Sequence, residues 1–197
     1  MAQISSTMAP VGQFAQTPVR RLGLIVAGVA LIALSAKIQV SFWPVPMTLQ
    51  TLALLGIFAM SGTRLSLEII LAYLAAGLMG LAVFAGPAAG PAYLVGPTAG
   101  FLVGFVCAAF IVGRAADRGL ASKPLAMIGF MLAAEVVIFT LGFLWLGFLF
   151  TTSTGATLGG GYAFANGVQP FIAGDLVKIV LAALIAGGVT IGLKKRQ

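Results

Sequence analysis

The chain lacks histidine, and its 197 residues include a single cysteine and only four acidic residues. One cysteine cannot form an internal disulfide, and the absence of histidine excludes histidine-ligated metals and Ser-His nucleophile pairs. An aspartyl hydrolase of the membrane needs two opposed aspartates, but Asp117 falls in a loop and only Asp175 lies in an apolar segment. Cys107 is interpreted as a small packing residue. We therefore expect no enzyme, no catalytic residues, no metal and no cofactor.

Charge of either sign is scarce, at 8% of all residues, whereas soluble domains carry roughly 25%. Hydrophobic residues make up 60% of the chain, and the mean hydropathy is +1.12. Too few polar groups remain to coat a soluble globule, so the apolar side chains must face lipid and one another. The composition predicts an all-α, polytopic membrane protein embedded in a lipid bilayer.

Apolar segments of about 20 residues cross a bilayer as helices. Six such segments predict six transmembrane helices, over residues 21–38, 47–62, 65–84, 96–113, 124–150 and 170–193. The second is the shortest, and Pro44 and Pro46 just upstream favour a helix start near Met47.

Basic residues orient the chain, because lysine and arginine in short loops stay on the cytoplasmic side. In the six-span interpretation one side receives Arg20, Arg21, Arg64, Arg114, Arg118, Lys123, Lys194, Lys195 and Arg196. The opposite loops, 85–95 and 151–169, contain no charge. Both termini are therefore expected in the cytoplasm. Residues 1–19 are polar and predicted to be a disordered leader, followed by a membrane domain over 20–197.

The net charge of +7 is interpreted as this topology signal and not as a nucleic-acid-binding surface, because no basic run is long enough. A glycine run at 159–161 is not followed by the Gly-Lys-Ser/Thr of a nucleotide-binding loop. The chain is thus not expected to hydrolyse ATP. If ATP drives its function, the motor must be another polypeptide.

Asp175 and Lys178 stand three residues apart near the start of the last apolar segment, and this spacing puts them on one face of a helix. We predict that they contact a ligand within the membrane; the alternative is an internal salt bridge that only neutralises both charges. Glu135 is the other acidic residue within a span. It is expected to be protonated, to pair with another helix or to contact the ligand, and sequence does not rank these roles.

The outer loops combine rings with prolines and glycines. Trp43 lies in the proline-stiffened stretch 39–46, Tyr93 in the stretch 84–97, and Asn166 beside further aromatic residues. Irregular backbone at membrane depth is tolerated where it faces water or lines a protein cavity. These loops are predicted to cover a small-molecule pocket, unless their rings only form the interfacial aromatic belt.

The first span carries small residues at a spacing of four, Gly23 and Ala27. Such residues let helix backbones approach closely in a membrane. They predict either packing within this chain or a groove that docks a partner helix.

The sequence resembles the BioY family over nearly its whole length from about residue 20. The motifs that carry the resemblance are Trp43-Pro44-Val45-Pro46-Met47-Thr48-Leu49-Gln50-Thr51, Arg64, Tyr73, Phe84-Ala85-Gly86, Gly96-Pro97-Thr98-x-Gly100 and Gly174-Asp175-x-x-Lys178. Members of this family are the biotin-binding S components of energy-coupling-factor (ECF) transporters.

The resemblance implies a six-helix subunit of the bacterial plasma membrane that captures biotin from outside and delivers it inward. It implies Asp175 and Lys178 as the main polar contacts, with Trp43, Gln50, Tyr93 and Asn166 as further contributors. The implied partners are a transmembrane coupling subunit, docked at Gly23 and Ala27, and cytoplasmic ATPases. A homo-oligomer is a further possible assembly, and the sequence does not decide the oligomeric state. The alternatives are an ion-coupled secondary transporter acting alone and a membrane assembly factor without a ligand.

Overall fold

The computed structural model describes residues 9–15 and 17–194, and it is mostly helical. Within those residues, five helices are long and apolar enough to cross a membrane. They are α1 (Pro18–Lys37), α2 (Gln50–Leu78), α4 (Ala99–Asp117), α5 (Pro124–Leu144) and α7 (Ile172–Lys194). The shorter elements are β1 (Gln39–Val40), β2 (Met47–Thr48), α3 (Pro91–Leu94) and α6 (Gly160–Gly167), and a π-helical turn, Trp145–Leu149, extends α5.

Helix α2 is folded back on itself at Gly62. This glycine has φ 76° and ψ 172°, outside the helical region and on the side of φ that glycine alone adopts without strain. The Ser66 hydroxyl donates to the Phe58 carbonyl at 3.4 Å, although these residues are eight positions apart. A continuous helix would separate them by roughly 12 Å, so α2 consists of two helical arms joined by a tight turn.

The two arms of α2 correspond to the second and third expected spans. The expected bounds were wrong at the end of the third span, since helix ends at Leu78 and not at residue 84. Gly80 takes φ 95° after the helix, and the chain then returns so that the buried Phe84 ring packs against Gly77. In this apolar stretch Met79 and Leu81 are exposed and Phe84 is buried, and hydropathy alone does not distinguish such a loop from membrane helix.

The bundle is built around α2 and α4. In an 18-residue apolar stretch of each of these helices 67% of the residues are buried, against 22% in α1. Helix α2 packs on α4, α4 on α5, α5 on α7, and α7 returns to α2, while α1 lies against α2. Glycines on α4 permit close approach: a Cβ at Gly104 would stand 2.7 Å from the Cα of Ile138, and one at Gly113 2.6 Å from the Cα of Thr63. Small residues therefore hold the helices together where lipid supplies no hydrophobic drive.

Charged side chains gather at one end of the bundle, called the basic end. Arg21 of α1 forms an ion pair with Glu68 through two hydrogen bonds, and Arg64 lies 3.5 Å from the same carboxylate. Asp117, at the end of α4, accepts from the backbone N–H and hydroxyl of Thr63, at 3.0 and 2.6 Å. These contacts tie the turn at Gly62 to α1 and α4.

Residues 9–15, which belong to the predicted leader, pack onto the basic end. They form a 3-10 turn over Gly12–Phe14; Ala9 is buried, and the Val11 N–H donates to the Met60 carbonyl at 2.9 Å. The physical reason is that the turn at Gly62 exposes backbone and small residues that Ala9 and Val11 cover. Residues 1–8 and 16 lie outside the described residues, as do 195–197.

Candidate functional site

A partly open cavity lies at the other end of the bundle, called the cavity end. It is lined by the start of α2, the first turns of α4, the second half of α5, the start of α7 and the loops between them. Its apolar wall consists of Val45, Pro46, Ala85, Phe101, Leu102, Phe105, Ile138, Phe139 and Phe171. Four of these are phenylalanine rings, which suit a flat apolar ligand.

Asp175 and Lys178, which the sequence predicts to contact a ligand, both line this cavity. Both are buried, and the Lys178 ammonium donates to Asp175 Oδ1 at 2.6 Å and to the backbone carbonyl of Thr48 at 2.7 Å. Asp175 lies in the first turn of α7, where the helix dipole stabilises a carboxylate. The pair is therefore an ion pair inside the bundle that retains hydrogen-bonding capacity towards the cavity.

Gln50 and Tyr93 also line the cavity. The Gln50 side-chain amide donates to the Tyr73 hydroxyl at 2.9 Å, which leaves the Gln50 carbonyl oxygen as an acceptor. The Tyr93 ring stacks on Phe84 with centroids 4.4 Å apart. Burial raises the pKa of the Tyr93 phenol, so at neutral pH it is a neutral hydrogen-bonding group.

Glu135 of α5 lines the same cavity, and its carboxyl adjoins that of Asp175. Sequence located this residue within a span and linked it with Asp175 only in the alternative of an ion-coupled transporter, because the two residues lie on different helices. The structure brings three ionisable side chains to one buried place. Within the described residues, no group of three or more metal-ligating side chains could hold a metal ion.

Lys37, at the end of α1, holds the loop that closes one side of the cavity. Its ammonium donates to the carbonyls of Phe84 and Gly86, at 2.7 Å each. Ala85, between these two acceptors, lines the cavity. Lys37 therefore positions this part of the cavity wall from outside.

Trp43 and Asn166 do not line the cavity. Trp43 lies in the loop of the β1–β2 hairpin, is 66% exposed, and contacts the edge of Tyr162 at a centroid distance of 6.3 Å. Asn166 is half-buried on α6, where its amide donates to the Tyr162 carbonyl at 3.0 Å. These two predicted contributors are thus not among the residues that line the cavity.

Gly23 and Ala27 lie on the exposed face of α1. A Cβ built at Gly23 meets nothing within 4 Å, so this residue does not serve close packing within the described chain. Of the two interpretations of this pair, the surface facing away from the bundle is the one that fits.

Two parts of the site were missed by sequence reasoning. The Thr48 carbonyl accepts from Lys178, but a backbone acceptor carries no side-chain signal. The phenylalanines of the cavity wall are spread over α4, α5 and the residue before α7, among other apolar residues of the same kind. Only their shared location distinguishes them from rings that face lipid.

The fold and the cavity together define a polytopic membrane protein with a cavity that contains a buried ion pair. The sequence model of the BioY family matches residues 5–195. The chain therefore belongs to the BioY family, and the resemblance drawn from its motifs is confirmed.

Individual relatives agree with this membership. The chain is 35% identical over 167 residues to a protein of Pyrococcus horikoshii described as a probable biotin transporter BioY, with 85% of this chain and 94% of that protein covered. It is 33% identical to the biotin transporter BioY of Rhizobium etli, with 86% and 90% covered. These relatives are transporters and not enzymes.

A solved structure shares the fold. It is the crystal structure of the S-component for biotin from an ECF-type ABC transporter, which aligns with a TM-score of 0.73 over 87% of this chain and 91% of that one. The sequence identity is 24%, so this likeness establishes a common architecture.

Proposed function

We propose that this chain captures biotin in the plasma membrane and serves as the substrate-binding component of a biotin uptake system. The observation that carries this proposal is the buried Asp175–Lys178 ion pair in a phenylalanine-walled cavity. Its membership of a family whose relatives are described as biotin transporters supports the choice of ligand.

The chemistry of biotin matches the cavity wall. Biotin combines a cyclic urea, with two N–H donors and one carbonyl, a compact apolar bicycle and a chain that ends in a carboxylate. The Asp175 carboxylate accepts from a urea N–H, and the Lys178 ammonium, which already donates to Asp175 and Thr48, offers its third hydrogen to a ligand oxygen. In the proposed complex the apolar bicycle packs against the phenylalanine rings of the cavity wall.

Six transmembrane spans and cytoplasmic termini are part of the proposal. The two arms of α2 count as separate spans, because Gly62 reverses the chain between them. Arg21, Arg64 and Arg114 lie towards the basic end, which the preference for cytoplasmic lysine and arginine assigns to the inside. The cavity end then faces outwards, and biotin enters from there.

Energy for inward delivery comes from partners. The described chain has an exposed face on α1 with Gly23 and Ala27, suited to close approach by a helix of a coupling subunit. Cytoplasmic ATPases bound to that subunit complete the proposed ECF-type transporter. The loops at 39–46 and 84–97 close over biotin after it binds.

Equilibrium binding of biotin to the purified chain in detergent tests the central claim. Saturable binding of biotin and desthiobiotin, with none of thiamine or riboflavin, is the expected result. No binding by chain that elutes as a single folded species would refute the proposal.

A second candidate is proton-coupled transport by this chain alone, favoured by the adjacency of the Glu135 and Asp175 carboxyls inside the bundle. Proteoliposomes that contain only this chain distinguish the two. Uptake abolished by a protonophore would support the second candidate, whereas uptake that needs ATP and the partner subunits would support the first.

A further inference from the structure

Glu135 is buried without a complete set of hydrogen-bond partners. Its side chain is on the middle of α5 and is 5% exposed, and its Oε2 accepts no hydrogen bond from the described residues. A carboxyl oxygen left unpaired away from water destabilises the folded chain, and most buried polar atoms are therefore hydrogen-bonded. The exception at Glu135 requires an explanation.

No ammonium, amide or hydroxyl of the described residues donates to this oxygen. The adjoining Asp175 carboxyl pairs with Glu135 only when the two share a proton, and the Lys178 ammonium is directed to Asp175 and to the Thr48 carbonyl. Lys178 is the only lysine or arginine among the residues that line the cavity. The one ammonium of the cavity wall is thus paired with Asp175, and Glu135 is a second acidic group without a basic partner of its own.

The opposite side of Glu135 offers no donors either. Glu135 and Asp175 also border a groove between α5 and α7. Its remaining wall is apolar, formed by Leu132, Val136, Phe139, Ile172, Leu176 and Ile179. A donor for Glu135 must therefore come from the cavity.

We propose that the Glu135 carboxyl is a second ligand-binding group, which accepts one N–H of a cyclic urea while Asp175 accepts the other. The two carboxyls line one cavity but belong to different helices, α5 and α7. The two N–H groups of a cyclic urea point in different directions, so they need acceptors that are placed apart in this way. This inference rests on the proposed function and specifies how the ligand is oriented in that site. The urea lies deep, between α5 and α7, and the carboxylate chain points towards the outer loops.

The test combines variants of the protein with variants of the ligand. Biotin affinity is measured for wild type, Glu135→Ala and Glu135→Gln, with biotin and its two isomers methylated at one or the other urea nitrogen. Loss of the acceptor of a buried urea N–H predicts biotin binding about 10- to 100-fold weaker for Glu135→Ala, and a smaller loss for Glu135→Gln, which keeps a carbonyl acceptor. Val136→Ala, one residue further along α5 on its exposed face, should bind like wild type.

The methylated isomers separate direct contact from a structural effect. For the isomer that lacks the N–H directed at Glu135, wild type and Glu135→Ala should bind equally weakly, whereas for the other isomer they should differ as they do for biotin. Equal losses for biotin and for both isomers would overturn the proposal, as would wild-type affinity in folded Glu135→Ala. If Glu135→Ala does not fold, Glu135→Gln must show the same pattern.

The outcome also separates this inference from the proposed function. If wild type binds biotin and both Glu135 variants bind it with the same affinity, the inference alone is overturned. No biotin binding by folded wild type would overturn both.

Discussion

Gln50 and Tyr73 are 23 positions apart, yet the Gln50 amide donates to the Tyr73 hydroxyl at 2.9 Å. A continuous helix would separate these residues by roughly 35 Å. The Tyr73 hydroxyl donates in turn to the Val83 carbonyl at 3.2 Å, so one phenol joins both arms of α2 to the loop that follows. These two hydrogen bonds hold the arms of α2 together at the cavity end, whereas the turn at Gly62 joins them at the basic end.

Replacing Tyr73 by phenylalanine should therefore loosen the cavity end. The ring packing on Phe84 is kept, but the Gln50 amide and the Val83 carbonyl lose a buried partner. We expect a loss of about 1–3 kcal/mol of stability, measured as a lower thermal unfolding temperature in detergent. Tyr162→Phe removes a hydroxyl from an exposed ring and should leave that temperature unchanged; equal effects of the two variants would contradict this role for Tyr73.

Removing one partner of the Asp175–Lys178 pair should lower the stability of the protein more than removing both. Asp175→Asn removes the carboxylate that pairs with the buried Lys178 ammonium and leaves it the Thr48 carbonyl and the neighbouring Glu135, so we expect a loss of up to about 3 kcal/mol in the free energy of unfolding. The double variant Asp175→Asn, Lys178→Met removes both charges and should unfold at a higher temperature than the single variant, yet neither should bind biotin. Thermal unfolding and biotin titration of the three proteins check this order.

A control for that prediction is Asp117→Asn at the basic end. It makes the same chemical change at a carboxylate that only holds Thr63, and biotin affinity should persist. Wild-type biotin affinity in the double variant at the cavity would contradict the assignment of the pair.

Lys37 should control how firmly the cavity is closed. Lys37→Met removes two hydrogen bonds to the Phe84 and Gly86 carbonyls while keeping the apolar stem. We expect biotin to dissociate faster, by about tenfold, as the loss of roughly 1.4 kcal/mol of loop stabilisation predicts. Stopped-flow displacement measures the rate, and Lys123→Met, a lysine outside the cavity wall, should show the wild-type rate. A wild-type rate in Lys37→Met would contradict a role in closure.

Gly104 should be sensitive to a single added methyl group. Alanine there would place its Cβ 2.7 Å from the Ile138 backbone, so α4 and α5 must separate at the cavity wall. Overpacking should lower the free energy of unfolding by about 1–3 kcal/mol, measured as a lower thermal unfolding temperature, and should also weaken biotin binding. Gly129→Ala in α5, where a Cβ meets nothing within 4 Å, should be neutral or slightly stabilising. If the two variants have equal unfolding temperatures, this contact does not limit the packing.

The exposed face of α1 should matter for transport and not for capture. Leucine at both Gly23 and Ala27 fills a surface that is open in this chain. We expect biotin affinity within twofold of wild type but ATP-dependent uptake reduced by about tenfold or more, because a partner helix can no longer approach closely. Gly188→Leu adds bulk to another open glycine, on α7, and should keep uptake; undiminished uptake by the α1 variant would exclude this docking face.

The contacts that could be predicted from sequence are local ones. Asp175 and Lys178 meet because residues three apart share a face of one helix, and that holds in any bundle that contains the helix. The hydrogen bonds from Lys178 to Thr48 and from Gln50 to Tyr73 depend on how helices pack, so no periodicity signals them. Trp43 and Asn166 share their aromatic, polar context with cavity residues in sequence, but only the folded loops decide that they stay outside.

Sequence alone determined the membrane class, the approximate spans and the ion pair, because the partition of each side chain between water and lipid is a local property. Tertiary structure decided the rest: the hairpin of α2, the end of helix at Leu78, the burial of residues 9–15, and the meeting of Glu135 with Asp175. Those features depend on which small residues let two helices approach and on which distant polar groups then find each other.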